Sequence, residues 1–434
     1  MVYRAVDVID VYAWGEQVGA VALDPASRFY AFEYHPTWLR RGMELSPLQL
    51  PLAPGVRVFR ELSPITYQRL PALLADSLPD RFGASLLDAY LAGEGVRQRD
   101  ITPLDRLAYL GSRGMGALEF RPPRSPPPGP ETAYEIAHIV DESRNAVNGS
   151  FGTESDATAG VRDLIQVGSS AGGLRAKAIV TFNNETQEVR GGHLDAPDGF
   201  AHWIIKLDGV NEAHRLAETN DMGRVEYAYS LMARAAGVDM MECRLFQEQG
   251  RAHFMTRRFD RDGNERLHTQ TLCALSHLDF REPGVHDYSE YLLAIRSLGL
   301  GRAAERQAFL RAAFNVMAGN RDDHTKNFGF VLPRDGTWRL APAYDVTFSD
   351  DMQWRMMSVD GEFGDVSADQ LMILADRFAV ANASVLLAGV ADVIESWSEF
   401  AMLAGTPSAA ADVVAAGLRP LRATHRRRRR NADL

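Results

Sequence analysis

The residues with the most evident chemistry lie between Gly319 and Phe328, in the run Gly-Asn-Arg-Asp-Asp-His-Thr-Lys-Asn-Phe. Asp322 and Asn327 are five residues apart, and another carboxylate, Asp345, follows eighteen residues after Asn327. In such a set one carboxylate can accept a proton from a hydroxyl group, while an amide oxygen and a second carboxylate hold Mg²⁺ against phosphate groups. The spacing predicts a loop for phosphoryl transfer, with Asp322 as the base and Asn327 and Asp345 as metal ligands.

Three polar features precede this loop, in the order found in protein kinases. The Gly-rich run 168–177 has small residues that let a backbone approach phosphate oxygens, although Leu174 stands where a Walker A loop requires lysine. Lys206 is the only basic side chain formally charged at neutral pH in the apolar run 202–207, so it is either an edge residue facing water or a buried phosphate ligand. Glu226, on the next predicted helix, is a candidate partner for Lys206. These features in this order indicate a kinase-like site more specifically than any one of them does alone.

Two other interpretations of these residues stay open. Asp322 and Asp323 can simply cap and solvate a loop, and the Gly-rich run can be a hairpin turn without a ligand. Metal-dependent hydrolysis through Asp322, Asp323 and His324 is disfavoured, because no second histidine cluster supplies the usual ligands.

Periodicity predicts the elements that must hold these residues. Apolar residues at helical spacing predict helices ending near Gly237 and Gly319, and a further helix after Asp80. Strands are predicted at 177–182 and 202–207, and a hairpin at 328–340. The predicted fold is therefore α+β, with a β-rich N-terminal half followed by an all-helical C-terminal half.

Composition excludes several classes of protein. The chain has 434 residues, a formal charge of −10 and only two cysteines, which cannot form a disulfide framework. Two carboxylates interrupt the first ten residues, which disfavours a secretory signal, and no apolar run is long enough to span a membrane. These observations predict a cytoplasmic protein with no membrane contact.

Several motifs across nearly the whole chain resemble the HipA family of bacterial serine/threonine kinases, which are toxin components of type II toxin–antitoxin modules. The motifs are Leu45–Leu52, Ser77–Gly83, Leu110–Leu118, Arg257–Arg261 with Arg266 and His268, Gly319–Phe328 and Leu340–Val346. The resemblance implies a two-lobed, kinase-like fold with ATP in the cleft between the lobes.

The resemblance also implies roles for individual residues. Asp322 would be the catalytic base, Lys206 the phosphate-binding lysine, and Asn327 and Asp345 the Mg²⁺ ligands. The implied ATP-binding residues are Ala171, Gly172, Gly173, Leu174, Arg175, Ala176, Lys206, Arg257, Arg258, Phe259, His324, Thr325, Lys326, Asn327, Tyr344, Asp345 and Thr347. Autophosphorylation would occur on the loop residue Ser169 or its neighbour Ser170.

Two departures from the family pattern stand out. Arg175-Ala176 replaces a frequent Pro-Lys or Glu-Lys, which affects the expected phosphate contacts. Asp323 replaces a frequent glycine and is expected to add a charge beside the base.

The implied partners are a protein substrate, for which family precedent points to an aminoacyl-tRNA synthetase, and a small DNA-binding antitoxin of the HipB type. DNA would be bound mainly through that antitoxin. An alternative is a catalytically idle corepressor or scaffold acting with the antitoxin, for which the run Arg426–Arg430 could contact DNA phosphates. That run can equally be a solvated terminus.

The predicted organisation divides the chain into consecutive segments. These are a HipA-type N-terminal subdomain at 1–121, a Pro-rich linker at 122–135, a kinase N-lobe with its phosphate loop at 136–235, a helical C-lobe at 236–424 and a basic tail at 425–434.

Overall fold

The computed structural model describes residues 3–93, 95–124, 138–141, 143, 176–192, 194–210, 221–349 and 352–422. Two compact units make up the chain, and neither is continuous in sequence. The first unit comprises Met1–Tyr227, Met241–Arg281 and Thr325–Tyr344. The second comprises Ala228–Met240, Glu282–His324 and Asp345–Leu434.

The first unit begins with an antiparallel sheet in which every other residue of β1 is buried. Ile9, Val11 and Ala13 face the core, as expected of a strand with one apolar face. The strands are β1 (Val8–Ala13), β2 (Glu16–Leu23), β3 (Tyr30–Tyr34) and β4 (Leu118–Arg121), in the spatial order β3-β2-β1-β4.

Helices accompany this sheet: α1 (Pro36–Arg41), α2 (Ala72–Ala75), α3 (Arg81–Gly93) and α4 (Pro103–Leu110), with a short 3₁₀ turn at Gln98–Asp100. The helix predicted after Asp80 is α3, and its Leu86, Leu87 and Leu91 are buried on one face as expected. A capping box formed by Thr102 and Asp105 fixes the start of α4.

A five-stranded antiparallel sheet carries Lys206 in its middle strand. Its strands are β5 (Lys177–Asn183), β6 (Val189–Gly191), β7 (Phe200–Lys206), β8 (Cys243–Glu248) and β9 (Arg251–Arg257), in the order β6-β5-β7-β9-β8. The strands predicted at 177–182 and 202–207 are thus confirmed. Helix α5 (Met222–Ala235) follows β7 in the chain.

Residues 243–257 lie in the segment that the sequence predicts to be all-helical, and the structure differs from that prediction. They form the hairpin β8–β9, which pairs with β7. Its turn, Gln249-Gly250, has φ values of 44° and 80°, the left-handed conformations that a tight two-residue hairpin needs. A Gln-Gly pair is a weaker turn signal than Asn-Gly or Asp-Gly.

The rest of the first unit extends the β structure. The strands are β10 (Arg261–Asp262), β11 (Glu265–Arg266), β12 (His268–Thr271), β14 (Gly329–Leu332) and β15 (Arg339–Leu340), with helix α6 at Leu272–Ser276. The predicted hairpin at 328–340 is confirmed as β14–β15, and β14 also pairs with β12.

The second unit is mainly helical. It contains α7 (Tyr288–Ser297), α8 (Gly301–Met317), α9 (Ala368–Phe378), α10 (Ala383–Glu395), α11 (Trp397–Leu403) and α12 (Ser408–Gly417), and two short parallel strands, β13 (His286–Asp287) and β16 (Met357–Ser358). Helix α8 is buried along nearly its whole C-terminal half. Gly319, with φ of 67°, follows α8 and leads directly into the Asp322 loop.

Candidate functional site

Lys206 lies at the end of the central strand β7 and forms a buried ion pair. Its Nζ is 2.5 Å from Oε1 of Glu226 on α5, and the two side chains are only 11% and 2% exposed. A lysine in this position is not the water-facing edge residue that the sequence also allowed. The contact with Glu226 confirms the pairing predicted from their order in the chain.

A second lysine lies directly opposite on the neighbouring strand. Lys177 of β5 is the register partner of Lys206, so both side chains leave the same face of the sheet. Lys177 is buried, and its Nζ is 3.8 Å from Oδ2 of Asp80, which is also buried. Sequence reasoning assigned no role to Lys177 or Asp80, although a lysine at the start of an apolar strand mirrors the Lys206 signal. This face of the sheet therefore carries two cations, each beside its own carboxylate.

Asp322 stands in the loop after α8 with an accessible carboxylate. Its side chain is 46% exposed, and its Oδ1 is 3.8 Å from Nε2 of His324. Its backbone N–H donates to Oγ of Ser349 at 3.2 Å, and that hydroxyl in turn contacts Asn320. A fixed backbone with a reachable carboxylate suits a group that must meet an incoming hydroxyl.

Asp323, the next residue, has the opposite environment. It is 0% exposed and accepts hydrogen bonds from Tyr288 Oη at 2.8 Å, Arg355 Nη2 at 2.9 Å and the backbone N–H of Met356 at 3.2 Å. Burial, and then the Asp323 carboxylate, raise the pKa of Tyr288 well above its usual value. The carboxylate of Asp323, next to Asp322, is therefore paired with the Arg355 guanidinium and anchors the loop.

Several predicted nucleotide-binding residues meet within the first unit. The ring of Phe259 stacks on Tyr344 with centroids 5.3 Å apart, and Tyr344 Oη donates to the carbonyl of Lys326 at 2.7 Å. Thr325 Oγ1 donates to the carbonyl of Leu278 at 2.8 Å. Tyr344 therefore joins the segment 257–259 to the short 3₁₀ turn Thr325–Asn327.

Asp345 and Thr347 belong to the second unit, and Asp345 has a left-handed backbone with φ of 56°. Such a conformation in a non-glycine residue is uncommon and often accompanies function. Asp345 and Asn327 supply oxygen donors, the type that Mg²⁺ prefers, and Mg²⁺ commonly takes few protein ligands and completes its shell with phosphate and water. Among the residues described, no three His, Cys, Asp or Glu side chains form a metal-binding group. Asn327 and Asp345 thus each carry an oxygen donor of the type that Mg²⁺ accepts.

Part of the predicted site lies outside the described residues: Ala171–Arg175 of the Gly-rich run, both candidate serines Ser169 and Ser170, and the basic tail. Ala176 is described and buried, and its carbonyl accepts a hydrogen bond from Leu207 N–H. None of the described helices has the length and apolarity required to cross a membrane.

Comparison with known proteins shows to which family the chain belongs. The model of the HipA N-terminal domain matches residues 9–121, and that of the HipA-like C-terminal domain matches residues 169–401. Two curated relatives are named as kinases. "Putative kinase" of Haemophilus influenzae is 24% identical over 199 residues, covering 43% of this chain and 54% of that protein. "Putative kinase Y4dM" of Sinorhizobium fredii is 26% identical over 363 residues, covering 79% of this chain and 77% of that protein.

This chain thus spans about half the length of the first of these relatives. Among solved structures, HipA of Shewanella oneidensis MR-1, in complex with HipB and its operator DNA, matches with a TM-score of 0.63 and 16% identity over 94% of both chains. That likeness confirms the predicted α+β, kinase-like fold. With both family models matching in order, and the C-terminal model alone covering more than half of the sequence, the chain belongs to the HipA family.

Proposed function

We propose that this protein is an ATP- and Mg²⁺-dependent serine/threonine protein kinase that acts as the toxin of a toxin–antitoxin pair. The observation that carries the proposal is the buried Lys206–Glu226 ion pair in the central strand of the five-stranded sheet. Kinases use a strand lysine held by a helix glutamate to contact ATP phosphates. The names of the two curated relatives agree with this function.

In the proposed reaction the γ-phosphorus of ATP forms a bond to a substrate hydroxyl oxygen while its bond to the bridging oxygen breaks and ADP leaves. Asp322 orients the hydroxyl and takes its proton, and Lys206 offsets phosphate charge. Asn327 and Asp345 would hold Mg²⁺, which when bound neutralises phosphate charge. His324 to Asn327, Tyr344 and Thr347 would bind the nucleotide, with the segment 257–259 beside the adenine.

The direct test is transfer of labelled phosphate from ATP to protein. We expect the wild-type chain, incubated with Mg-ATP and cell extract, to label itself and a protein target. Lys206→Met and Asp322→Ala should each lower the labelling rate about a hundredfold or more. Asp412→Ala, at an exposed position of α12, is the matched control and should label normally. Wild-type labelling by Asp322→Ala would contradict the assigned base.

Mass spectrometry of the same reaction tests the finer proposals. We expect autophosphorylation on Ser169 or Ser170, and a target that is an aminoacyl-tRNA synthetase. ATP consumption with no labelled protein would favour hydrolysis instead of protein phosphorylation.

The proposed partner is a small DNA-binding antitoxin of the HipB type, and the proposed location is the cytoplasm. The solved HipA of S. oneidensis was crystallised with HipB and operator DNA, which supports this choice. Deleting residues 425–434 should weaken binding of the joint complex to operator DNA and leave phosphate transfer intact. Unchanged affinity for DNA would show that the five arginines are only a solvated end.

A further inference from the structure

Asp76, the residue that follows α2, binds the end of β12 with both of its carboxylate oxygens. Its Oδ2 accepts a hydrogen bond from the backbone N–H of Thr271 at 2.7 Å, and its Oδ1 accepts from the Thr271 hydroxyl, also at 2.7 Å. Thr271 is the last residue of β12 and the N-cap of α6, where its Oγ1 accepts from the N–H of Ala274. Asp76 therefore fixes both the backbone and the side chain of Thr271.

The pairing of β12 with β14 extends this constraint to the residues that follow Asn327. Thr271 is the register partner of Gly329, and the N–H of Leu272 donates to the carbonyl of Phe328 at 2.7 Å. Hydrogen bonds between paired strands fix the backbones of both strands relative to each other. The chain directly after Asn327, the proposed Mg²⁺ ligand, is therefore held by the residues that Asp76 binds.

Lys326, on the other side of Asn327, lies near the same carboxylate. Its Nζ is 4.6 Å from the ring centroid of Phe280, so its side chain turns toward the segment that follows α6. Burial raises the pKa of Asp76, and the Lys326 ammonium opposes this effect. Burial likewise raises the pKa of the Cys273 thiol to about 11, again against the effect of Lys326. The ammonium group is therefore close enough to Asp76 to act as its counter-charge.

We propose that Asp76 is a positioning residue for Asn327, because it holds the residues on both sides of that amide and so fixes the placement of its oxygen. The inference rests on the proposed function, in which Asn327 would hold Mg²⁺ with a nucleotide. Residues that orient a metal ligand without touching the metal change metal affinity by about 10- to 100-fold when they are replaced. Asp76 and the segment 325–329 both belong to the first unit. The N-terminal region of the chain thus supports the nucleotide site.

Calorimetric titration of the full chain with ADP, in excess Mg²⁺ and in EDTA, tests the inference by binding alone. We expect the wild-type chain to bind ADP more tightly with Mg²⁺ than without it. Asp76→Asn removes the charge at nearly constant shape, so it should reduce this gain about tenfold and leave the affinity in EDTA unchanged. A merely structural loss would weaken binding equally in both buffers. Asp88→Asn replaces a carboxylate of α3 that pairs with Arg106, and this control should keep the wild-type gain.

A second variant, Lys326→Met, separates support of Asn327 from direct contact with phosphate. If the ammonium acts together with Asp76, Lys326→Met should also reduce the gain from Mg²⁺. The double variant should then lose less than the sum of the two single losses, as expected of residues that act on each other. Equal weakening by Lys326→Met in Mg²⁺ and in EDTA would assign the ammonium to the phosphates and overturn the inference. These titrations remain decisive if Asp76→Asn fails to fold.

The remaining outcomes separate the inference from the function on which it rests. A wild-type gain from Mg²⁺ in Asp76→Asn would overturn the inference and leave the proposed function intact. Binding of ADP by the wild-type chain with no gain from Mg²⁺ would remove the role assigned to Asn327, and with it the role of Asp76. If the wild-type chain binds no ADP in either buffer, the proposed function is wrong and the inference is wrong with it.

Discussion

At the scale of single residues, two adjacent aspartates have contrasting environments. Asp322 presents its carboxylate to solvent, whereas Asp323 is enclosed by Tyr288, Arg355 and backbone amides. Removing the charge of Asp323 would leave the Arg355 guanidinium, only 4% exposed, beside a neutral amide. Breaking a buried charged pair on one side is strongly destabilising.

We therefore expect effects of very different size on stability from two isosteric variants. Asp323→Asn should lower the free energy of unfolding by about 3 kcal/mol, whereas Asp322→Asn should change it by less than about 0.5 kcal/mol because its side chain is exposed. Urea unfolding followed by circular dichroism measures both. Equal destabilisation by the two variants would contradict the assigned environments.

The candidate site was only partly predictable from the sequence at this scale. Residue type and spacing pointed to Asp322 and to the pair of Lys206 and Glu226, because these signals lie in local motifs or in a fixed chain order. Asp80 and Arg355 carried no such signal. Their roles arise from contacts with Lys177 and Asp323, which lie 97 and 32 residues away in the chain and meet only in the folded structure.

At the scale of elements, the position of α5 depends on a close approach to β9. A Cβ added to Gly223 would lie 2.1 Å from the carbonyl oxygen of Ala252, so no larger residue fits without moving the helix. Glu226 stands one turn further along α5. Gly389 of α10 is exposed, with nothing within 4 Å of an added Cβ.

These two glycines give a matched pair of substitutions. Gly223→Ala should destabilise the chain by about 1–3 kcal/mol through overpacking and displace Glu226 from Lys206, raising the KM for ATP in the proposed reaction. Gly389→Ala should stabilise it by up to about 1 kcal/mol through helix propensity. Thermal unfolding and initial rates of phosphate transfer measure the two effects. Equal melting temperatures for the two variants would refute the close approach.

Periodicity predicted the helices and the hairpin at 328–340 because each buries one face, and burial of one face leaves a regular pattern. Periodicity did not predict that β8 and β9 belong to the sheet that carries Lys206. Pairing between β7 and β9 joins residues about fifty positions apart. The alternation of apolar and polar residues within a strand shows which face is buried but not which strand pairs with it.

At the scale of the whole molecule, distant segments form the first unit. Asp260 accepts a hydrogen bond from the backbone of Gly116, 144 residues earlier, and Tyr67 Oη donates to the carbonyl of Cys273. The predicted domains are consecutive segments of the chain, whereas residues 241–281 and 325–344 belong to the first unit. The composition of a segment does not indicate which distant part of the chain it packs against.

His268 of β12 is buried in the interior of the first unit. Its burial makes the free energy of unfolding depend on pH. His268 is 0% exposed, and its Nε2 is 2.9 Å from the carbonyl oxygen of Leu45. Burial lowers the pKa of His268 to about 4, although the hydrogen bond to Leu45 opposes this effect. In the unfolded chain a histidine has a pKa of about 6.5. Between these values the unfolded state binds the additional proton, so stability is complete above about pH 6.5 and falls as the pH drops toward 4.

A difference of about 2.5 pKa units corresponds to about 3 kcal/mol lost from His268 across this window. Gln at this position can keep a donor for the Leu45 carbonyl but does not titrate, so His268→Gln should flatten that part of the profile. Urea unfolding of both proteins at pH 7, 6, 5 and 4 gives the two curves. Because burial of His202 and His253 also lowers their pKa values, the variant should retain a smaller slope of the same sign. Parallel curves would show that His268 takes up its proton without unfolding, and hence that water reaches the interface between β12 and the segment around Leu45.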